Sequence, residues 1–281
     1  MSKLRLEDVT LAYGPRVVLQ NISFETTPGE MLGIVGPNGC GKSTLIKGIT
    51  RVIPLASGRI FIDGRDAARI PRNEMARLVA VVPQNPTLPE AFTAFEVVLM
   101  GRTPHLGFLG YESQKDLSIV VHCMQVTSTV HLATRRVGEL SGGERQRLTI
   151  ARALAQETNI VLLDEPTAHL DINYQVETLN LVADLCAQRR LTALVAVHDL
   201  NLAAQYCQRI IMISGGIIHA QGTPREVITA ENVRQVYGAE VYVCPHPLND
   251  LPATLITAGG NGKKRADEAG QPQPDGPGGT R

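Results

Sequence analysis

A glycine-rich loop stands between an apolar run and a stretch of helical composition, and this order leaves few possible folds. The loop reads GPNGCGKST over residues 36–44, after the apolar run MLGIV and before a segment with apolar residues such as Leu45 and Ile49 on one helix face. Glycines allow backbone N–H groups to converge on phosphate oxygens, and the N-terminus of the following helix adds partial positive charge. The spacing G-x-x-x-x-G-K-[ST] in this setting predicts a phosphate-binding loop rather than a glycine-rich turn that binds nothing. We expect Lys42 to reach the phosphates and Ser43 to ligate Mg²⁺.

A second apolar run, IVLLDE at residues 160–165, ends in two adjacent acids. In a sheet of parallel strands, ligands bind at the edge formed by the carboxyl ends of the strands. We expect Asp164 to hold Mg²⁺ through water, and Glu165, on the other side of a strand whose side chains alternate, to polarise an attacking water. The alternative is a solvated strand end, and the phosphate-binding loop in the same chain argues against it.

The first part of the chain predicts short antiparallel strands. Apolar and polar residues alternate over short runs in residues 3–35, and turns are expected at 14–15 and 28–29. Asp63-Gly64 after the run RIFI predicts a hairpin. The segment ARLVAVVPQ (residues 76–84) is interpreted as the end of another apolar strand.

Later apolar runs alternate with helical segments, which predicts an α/β fold with a parallel sheet covered by helices on both faces. The runs are IVLLDE (160–165), TALVAVHD (192–199) and RIIMIS (209–214), with helical segments at 143–156, 173–190 and 200–207. Between Pro89 and Glu139, apolar residues recur at helical spacing and predict an inserted helical subdomain. Residues 258–281 contain no large apolar side chain, so we expect a disordered tail there.

The run LSGGERQR at residues 140–147 permits two interpretations. Ser141 followed by Glu144 is a capping box that starts a helix. A capping box alone does not require two glycines, whereas Gly142 and Gly143 expose backbone N–H groups at a helix N-terminus and indicate a second anion site. Two phosphate sites in one chain suggest a shared nucleotide.

Composition excludes several classes of protein. The chain has 281 residues, 43% of them apolar, and 27 Lys and Arg balance 27 Asp and Glu. Zero net charge and 4% aromatic residues without Trp give little basis for binding nucleic acid. The apolar runs are shorter than the roughly 18 residues of a membrane span and the start lacks a signal peptide, so we expect a soluble intracellular protein. Five cysteines without a C-x-x-C pair predict reduced thiols rather than a zinc site or a disulfide framework.

The chain resembles the ATP-binding subunits of ABC transporters over residues 3–257, because six motifs occur in family order. They are the P-loop at 36–44, Gln84 of the Q-loop, the signature LSGGERQR at 140–147, LLDEP at 162–166, the Asp-loop AHLD at 168–171 and His198 of the H-loop. The resemblance implies a P-loop NTPase core, here an ABC ATPase, with a parallel sheet flanked by helices, an N-terminal antiparallel β subdomain and an inserted α-helical subdomain. It implies an ABC ATP-binding domain over 1–257, divided into a core (1–88 and 146–220), a helical subdomain with the signature (89–145) and a C-terminal extension (221–257).

The resemblance also implies which residues act on ATP and Mg²⁺. A head-to-tail pair of subunits would close on two ATP molecules, each held by the P-loop of one subunit and the signature of the other, with Asp171 bridging the subunits. Tyr13 would stack on adenine, and its alternative is a strand aromatic packed in the core. Glu165 would orient or deprotonate water, His198 would hydrogen-bond the γ-phosphate, and Gln84 would touch the metal or water and the helical subdomain. The implied catalytic residues are Glu165, His198, Gln84 and Lys42; the nucleotide-binding residues are Tyr13, Gly36, Pro37, Asn38, Gly39, Cys40, Gly41, Lys42, Ser43, Thr44, Ser141, Gly142, Gly143 and Asp171; the metal ligands are Ser43, Gln84 and Asp164.

Three stretches outside these motifs look like the importer branch that handles iron-siderophores, haem and cobalamin. They are VLMGRTPHLG (98–107), VHDLNLAAQYC (197–207) and GTPREVITAENVRQVYG (222–238). This likeness implies an ATPase coupled to uptake of a metal chelate, at the cytoplasmic face of the cell membrane. Its partners would be two membrane-spanning permease subunits, a second copy of the chain and, indirectly, an extracytoplasmic substrate-binding protein.

The permease contact and the transported substrate each have alternatives. Leu106, Phe108, Leu109 and Tyr111 are candidates for the permease contact, and an ordinary surface loop is the other interpretation. The chain could instead serve an importer of molybdate or tungstate oxyanions, or be a soluble ABC ATPase outside transport. A non-hydrolysing regulator is a further alternative, against which the intact Glu165 and His198 argue.

Overall fold

The computed structural model describes residues 3–106, 110–168 and 170–256. The predicted tail at 258–281 lies outside the described residues, as do Phe108, Leu109 and His169. The strands are β1 (Leu4–Tyr13), β2 (Arg16–Glu25), β3 (Met31–Val35), β4 (Leu55–Ile62), β5 (Arg65–Asp66), β6 (Val79–Val82), β7 (Ile160–Asp164), β8 (Thr192–Ala196), β9 (Arg209–Ser214), β10 (Ile217–Gly222), β11 (Val241–Pro245) and β12 (Pro252–Ile256). The α-helices are α1 (Lys42–Ile49), α2 (Arg72–Leu78), α3 (Ala94–Leu99), α4 (Gln114–Val126), α5 (Gly142–Leu154), α6 (Ile172–Arg189), α7 (Leu200–Tyr206), α8 (Pro224–Val227) and α9 (Ala230–Tyr237).

A four-stranded antiparallel sheet in the order β2-β1-β4-β5 confirms the prediction for the first part of the chain. Strand β1 buries Leu4, Leu6, Val9 and Leu11, a nearly alternating set that shifts where the pairing with β2 and β4 is irregular. These residues form one apolar core with α1 and with one face of the second sheet. The antiparallel sheet therefore packs on the same helix that follows the glycine-rich loop.

The central sheet has six strands in the order β10-β9-β3-β8-β7-β6, and all of its pairs are parallel except β9 with β10. Every residue of β3 and β8 is buried, as expected for strands covered on both faces. One face belongs to the core shared with α1, and the other packs on α6 and α7. The α/β fold with a parallel sheet flanked by helices is thus confirmed. Because β3, β6, β7 and β8 are parallel, the segments that follow them meet at one edge.

The inserted helical subdomain is formed by α3, α4 and the first part of α5. Its separate apolar core contains Val97 and Val98 of α3, Val120 of α4 and Leu148 of α5. Capping boxes start all three helices, and the one on α5 is the Ser141 and Glu144 pair that the sequence indicated. The subdomain boundary expected between residues 145 and 146 falls inside α5, and domain limits remain predictions.

The interpretation of residues 76–84 as strand was wrong at both ends, because β6 comprises only Val79–Val82. Helix α2 runs to Leu78, and Val79 is both its C-cap and the first residue of β6. The helix ends in apolar residues because Met75 and Leu78 pack on the core beneath it. The last helical turn contains Arg77 but no glycine or proline after it, and it continues directly into an apolar strand, so the sequence pattern does not mark the change.

The five cysteines are free thiols, as predicted, and four of them are buried.

Strands β11 and β12 form a hairpin that packs on α7, where Asn201 exchanges hydrogen bonds with Thr254. Within the three described ranges, no helix has the length and apolar character needed to cross a membrane.

Candidate active site

The loop at residues 36–44 connects the carboxyl end of β3 to the N-terminus of α1. Gly36 has φ of 152°, and a Cβ at this position would lie 2.3 Å from the backbone oxygen of Ile213. Only glycine fits there, since both the backbone conformation and the close approach of β9 exclude a side chain. Further along, the Cys40 N–H donates to the Pro37 carbonyl at 3.2 Å, while Asn38 and Gly39 face outward. The conformation of the loop is therefore held by contacts within the chain.

Lys42 is the first residue of α1, and its side chain is only 4% exposed. Its Nζ donates to the Gly36 carbonyl at 2.9 Å and to the Pro37 carbonyl at 3.4 Å. The same nitrogen lies 3.9 Å from Glu165 Oε1. A buried ammonium group thus stands inside the loop, held by neutral carbonyls and one carboxylate, where it can exchange these partners for the oxygens of an anion.

Ser43 and Asp164 connect α1 to the end of β7. The Ser43 hydroxyl donates to Asp164 Oδ1 at 3.0 Å. Burial raises the pKa of the Asp164 carboxyl, and the hydrogen bond from Ser43 opposes that shift. A cation beside this carboxylate would remove the cost of its burial.

Glu165 lies at the centre of the site, buried to 8% exposure. Gln84, after β6, donates from Nε2 to Glu165 Oε2 at 2.5 Å. His198, after β8, places its Nε2 2.5 Å from the same oxygen. The backbone N–H of Glu165 donates to the Ala196 carbonyl at 3.2 Å, which ties the residue to the neighbouring strand. The structure thereby brings together Lys42, Gln84, Glu165 and His198, four residues from four separate segments.

A cavity of about 120 Å³ opens between the loop and Glu165. Its lining residues are Gly39, Gly41, Lys42, Ser43, Thr44 and Glu165. Pockets for whole drug-sized ligands measure roughly 300–1,000 Å³. The cavity therefore suits phosphate groups, and the rest of a nucleotide would extend over open surface.

The donor set fits a small hard cation such as Mg²⁺. Ser43 and Asp164 supply a hydroxyl and a carboxylate, and Gln84 adds an amide. Among the residues that the structure describes, no cluster of three or more His, Cys, Asp or Glu side chains could hold a metal ion. Mg²⁺ is commonly held by one or two protein carboxylates together with waters and substrate phosphates. One carboxylate beside a phosphate loop matches that preference.

The other predicted site residues lie outside this group of contacts. Ser141 caps α5, and its hydroxyl is engaged with Glu144 Oε2 at 2.8 Å. Asp171 caps α6 by accepting from the Tyr174 N–H at 3.1 Å. Tyr13, at the end of β1, is 45% exposed, so the alternative of a core aromatic is excluded. None of these three residues lines the cavity beside the loop.

Comparison with known proteins assigns the chain and its fold to a family. The family model described as "ABC transporter" matches residues 19–168. The chain belongs to the ABC transporter family. As a member of this family it binds nucleotide and is an ATPase.

Individual relatives and solved structures of ABC proteins agree with this assignment. The ferric enterobactin transport ATP-binding protein FepC of Escherichia coli is 40% identical over 255 residues, which cover 91% of this chain and 94% of that protein. A chain of an ABC transporter assigned to the metal-chelate type, in an inward-facing conformation, superposes with a TM-score of 0.80 at 26% identity and covers 92% of this chain and 98% of its own. A dimeric ATP-binding cassette bound to ADP and Pi, in a post-hydrolysis state, has a TM-score of 0.69 at 28% identity over 79% of this chain and 99% of its own.

One residue of this ABC ATPase that faces the signature was not found from the sequence. The ring of Tyr174, in the first turn of α6, lies against Gly143. Sequence spacing gives no signal for this contact, because α5 and α6 are separated by strand β7 and a loop. The only hint is a glycine in the first turn of α5, where a residue with a side chain would favour the helix more.

Proposed function

We propose that this ABC ATPase drives the import of a metal chelate, an iron-siderophore, haem or cobalamin, through partner membrane subunits. Two comparisons support the chelate: FepC is named for transport of ferric enterobactin, and the solved transporter is assigned to the metal-chelate type. The likeness of residues 98–107, 197–207 and 222–238 to the same importer branch also supports it. These stretches lie outside the catalytic motifs, so their likeness does not come from motifs that all ABC ATPases share.

The observation that carries the catalytic part is the convergence of Gln84, His198 and Lys42 on Glu165. We infer that Glu165 is the general base. As a water oxygen attacks the γ-phosphorus, the water proton passes to the Glu165 carboxylate, and the bond from the γ-phosphorus to the bridging oxygen of ADP breaks. His198 and Gln84 would fix the carboxylate before ATP arrives and would turn to the γ-phosphate and the water in the loaded site.

Lys42 and the loop would hold the phosphates. On binding, the Lys42 ammonium would leave the Gly36 and Pro37 carbonyls and donate to phosphate oxygens, while Gly36, Gly39, Gly41 and Thr44 present backbone N–H groups. Cys40 is buried in the loop, and burial raises the pKa of its thiol, which disfavours the reactive thiolate.

Ser43, Asp164 and Gln84 would hold Mg²⁺. When bound, the ion would neutralise charge on the transferred phosphoryl group. The Ser43 hydroxyl and the Asp164 carboxylate already lie 3.0 Å apart, so little rearrangement of the chain is required.

The site is completed by a second copy of the chain, in our proposal. The cavity of about 120 Å³ is smaller than a whole nucleotide needs, and Ser141 and Gly142 are exposed on their own subunit. The signature residues 141–143 would contact the γ-phosphate of the partner's ATP, Asp171 would bridge the subunits, and the exposed Tyr13 would stack on adenine. The related dimeric cassette with ADP and Pi supports this arrangement.

The membrane partners are part of the same proposal. Two permease subunits would hold the ATPase dimer at the cytoplasmic face of the membrane, and an extracytoplasmic binding protein would deliver the chelate. Of the four candidates for the permease contact, Tyr111 is 81% exposed, which supports its place among them.

An uptake assay in the source cell tests the transport function. Deletion of this chain's gene is expected to abolish uptake of at least one labelled ferric siderophore, haem or cobalamin, and the intact gene, but not its Glu165→Gln variant, should restore it. Purification of the native complex should recover two permease subunits and identify the binding protein. Normal uptake of all three chelates together with lost molybdate uptake would instead assign the oxyanion branch.

A further inference from the structure

The two signature glycines have different surroundings within the subunit. A Cβ on Gly142 would have no atom of the described residues within 4 Å, apart from its chain neighbours and its own helix. A Cβ on Gly143 would lie 2.7 Å from Tyr174 Cδ1 and 2.8 Å from both Cε1 and Cγ. The ring of Tyr174 therefore lies directly against the backbone of Gly143, and any side chain at position 143 must displace it. The space that a side chain would take is therefore open at Gly142, whereas at Gly143 it is filled by the Tyr174 ring of the same subunit.

A second contact fixes the same two helices one turn further on. The guanidinium carbon of Arg147 lies 5.4 Å from the centre of the Tyr174 ring, within the range of a cation–π interaction. Arg147 Nη1 also donates to Glu177 Oε2 at 3.0 Å. Gly143 with Arg147 on α5, and Tyr174 with Glu177 on α6, thus form two adjacent contact layers. Two layers fix the angle between the helices as well as their distance.

The first turn of α6 is also attached to the Asp-loop. Asp171 accepts from the Tyr174 N–H, and Gln175 donates from Nε2 to the Leu170 carbonyl at 3.0 Å. The turn that carries the Tyr174 ring therefore holds the Asp-loop in place on one side and the start of α5 on the other.

We propose that Tyr174 is a positioning residue for ATP hydrolysis, whose ring fixes the signature to the Asp-loop so that both approach the partner subunit as one unit. The inference rests on the proposed function, because it is in the closed dimer that both segments act. Tyr174 itself does not touch the substrate. The ring carries this role through its contact with Gly143, so Phe can replace Tyr while Ala cannot.

Tyr174→Ala and Tyr174→Phe test the role of the ring. Loss of the ring is expected to lower kcat about 10- to 100-fold, the scale of a small misplacement of reacting groups, because the signature would no longer be held at the right angle. Affinity of the monomer for ATP should stay within about twofold of wild type, since the P-loop is untouched, and Tyr174→Phe should retain kcat. An unchanged kcat in Tyr174→Ala, or an equal loss in both variants, would overturn the proposal.

Gly143→Ala, made alone and together with Tyr174→Ala, separates the two possible reasons for the glycine. If the ring demands glycine, Gly143→Ala lowers kcat in the wild-type background and has little further effect once the ring is gone, so the two losses are not additive. If the γ-phosphate of the partner's ATP alone demands it, Gly143→Ala costs the same in both backgrounds and the inference fails. Glu165→Gln, measured in the same assay, distinguishes failure of the proposed function from failure of this inference. Full turnover in Glu165→Gln would overturn the proposed function. Slow turnover in Glu165→Gln together with full activity in Tyr174→Ala would overturn only this inference.

Discussion

At the scale of single residues, Glu165 has a strained backbone conformation at the centre of the candidate site. It is a non-glycine residue with φ of 51°, in the left-handed region, which costs of order 1–3 kcal/mol. The hydrogen bond to Ala196 and the contacts from Gln84 and His198 hold it there against that cost. The strained turn directs the carboxylate towards Lys42 and the phosphate cavity.

Glu165→Gln should bind ATP and hydrolyse it about 10²–10³-fold more slowly, because the amide keeps the size of the side chain but cannot accept a proton. The measurement is steady-state phosphate release beside equilibrium binding of ATP. Glu112→Gln, a matched change at an exposed position, should leave both unaltered. Wild-type turnover in Glu165→Gln would remove Glu165 from the role of base.

Asp164→Asn should stabilise the fold while it impairs hydrolysis. Burial raises the folded-state pKa of Asp164, so its ionised form destabilises the protein at pH values above the unfolded pKa of about 3.9. The cost is fully present at neutral pH and disappears as the pH falls below about 4. We expect a gain of about 1 kcal/mol in the free energy of unfolding at pH 7 and none at pH 3.5, measured by urea titration without Mg²⁺.

The matched control for that change is Asp184→Asn, at an exposed position of α6, which should not alter the free energy of unfolding. A lower stability of Asp164→Asn at pH 7 would show that the hydrogen bond from Ser43 outweighs the cost of burial.

The sequence located the individual site residues but not their contacts. Lys42 and Asp164 could be found from a loop motif and from the end of an apolar strand, whereas Gln84 and His198 were found from their place in the family order of motifs. The convergence of Gln84 and His198 on one oxygen of Glu165 depends on the spatial order β8-β7-β6, in which the strand carrying Glu165 lies between the other two. Strand order is decided by packing between distant segments, and a local pattern contains no record of it.

At the scale of elements, Arg102 joins the start of α4 in the helical subdomain to the segment that follows α5. It is 3% exposed in the turn of 3₁₀ helix at Met100–His105. Its Nε donates to Asp116 Oδ1 at 2.9 Å, and its Nη1 to the Ala155 carbonyl at 2.6 Å and to Glu157 Oε2 at 2.9 Å. Hydrogen bonds from Ser113, with a contribution from Arg102, hold the pKa of Asp116 well below its usual range. The start of α4 and the end of α5 are thereby attached to one side chain.

Arg102→Ala should lower the free energy of unfolding by about 3–5 kcal/mol, because it leaves the buried Asp116 carboxylate and the Ala155 carbonyl without their partner. Thermal and urea unfolding measure the loss. Arg136→Ala, at an exposed position of the same subdomain, should change stability by less than about 0.5 kcal/mol. A small effect of Arg102→Ala would mean that water enters and replaces the guanidinium.

Helix ends that carry a capping motif were predicted well, and an end without one was not. Ser141 and Glu144 marked the start of α5 because a capping box is a local device. The join between α2 and β6 at Leu78 and Val79 has no such device and was misplaced. Arg102 gave no signal at all, since a buried arginine and a surface arginine look alike until their partners are known.

At the scale of the whole molecule, our proposal divides the nucleotide site between two parts of the chain. The P-loop, Glu165 and the small cavity form one part, and the exposed start of α5 forms the other. In this proposal, ATP would gain the second set of contacts only when another copy of the chain supplies it. A ligand can drive closure only if it binds the closed state more tightly than the open state.

Gly142→Asp therefore should fold normally and yet fail to dimerise with ATP. Open space surrounds a Cβ at this position, and a carboxylate in the first turn of α5 is favourable for the helix. In a closed dimer the same carboxylate would face the partner's γ-phosphate and repel it. The measurement is sedimentation velocity with ATP, and all variants carry Glu165→Gln to prevent hydrolysis. An ATP-dependent dimer is expected for Glu165→Gln alone and for its combination with Gly142→Ala. A monomer is expected for the combination with Gly142→Asp. ATP binding to that monomer should be retained, because its own P-loop is intact. A stable ATP-bound dimer of the Gly142→Asp combination would place the signature away from the phosphate and refute the shared site.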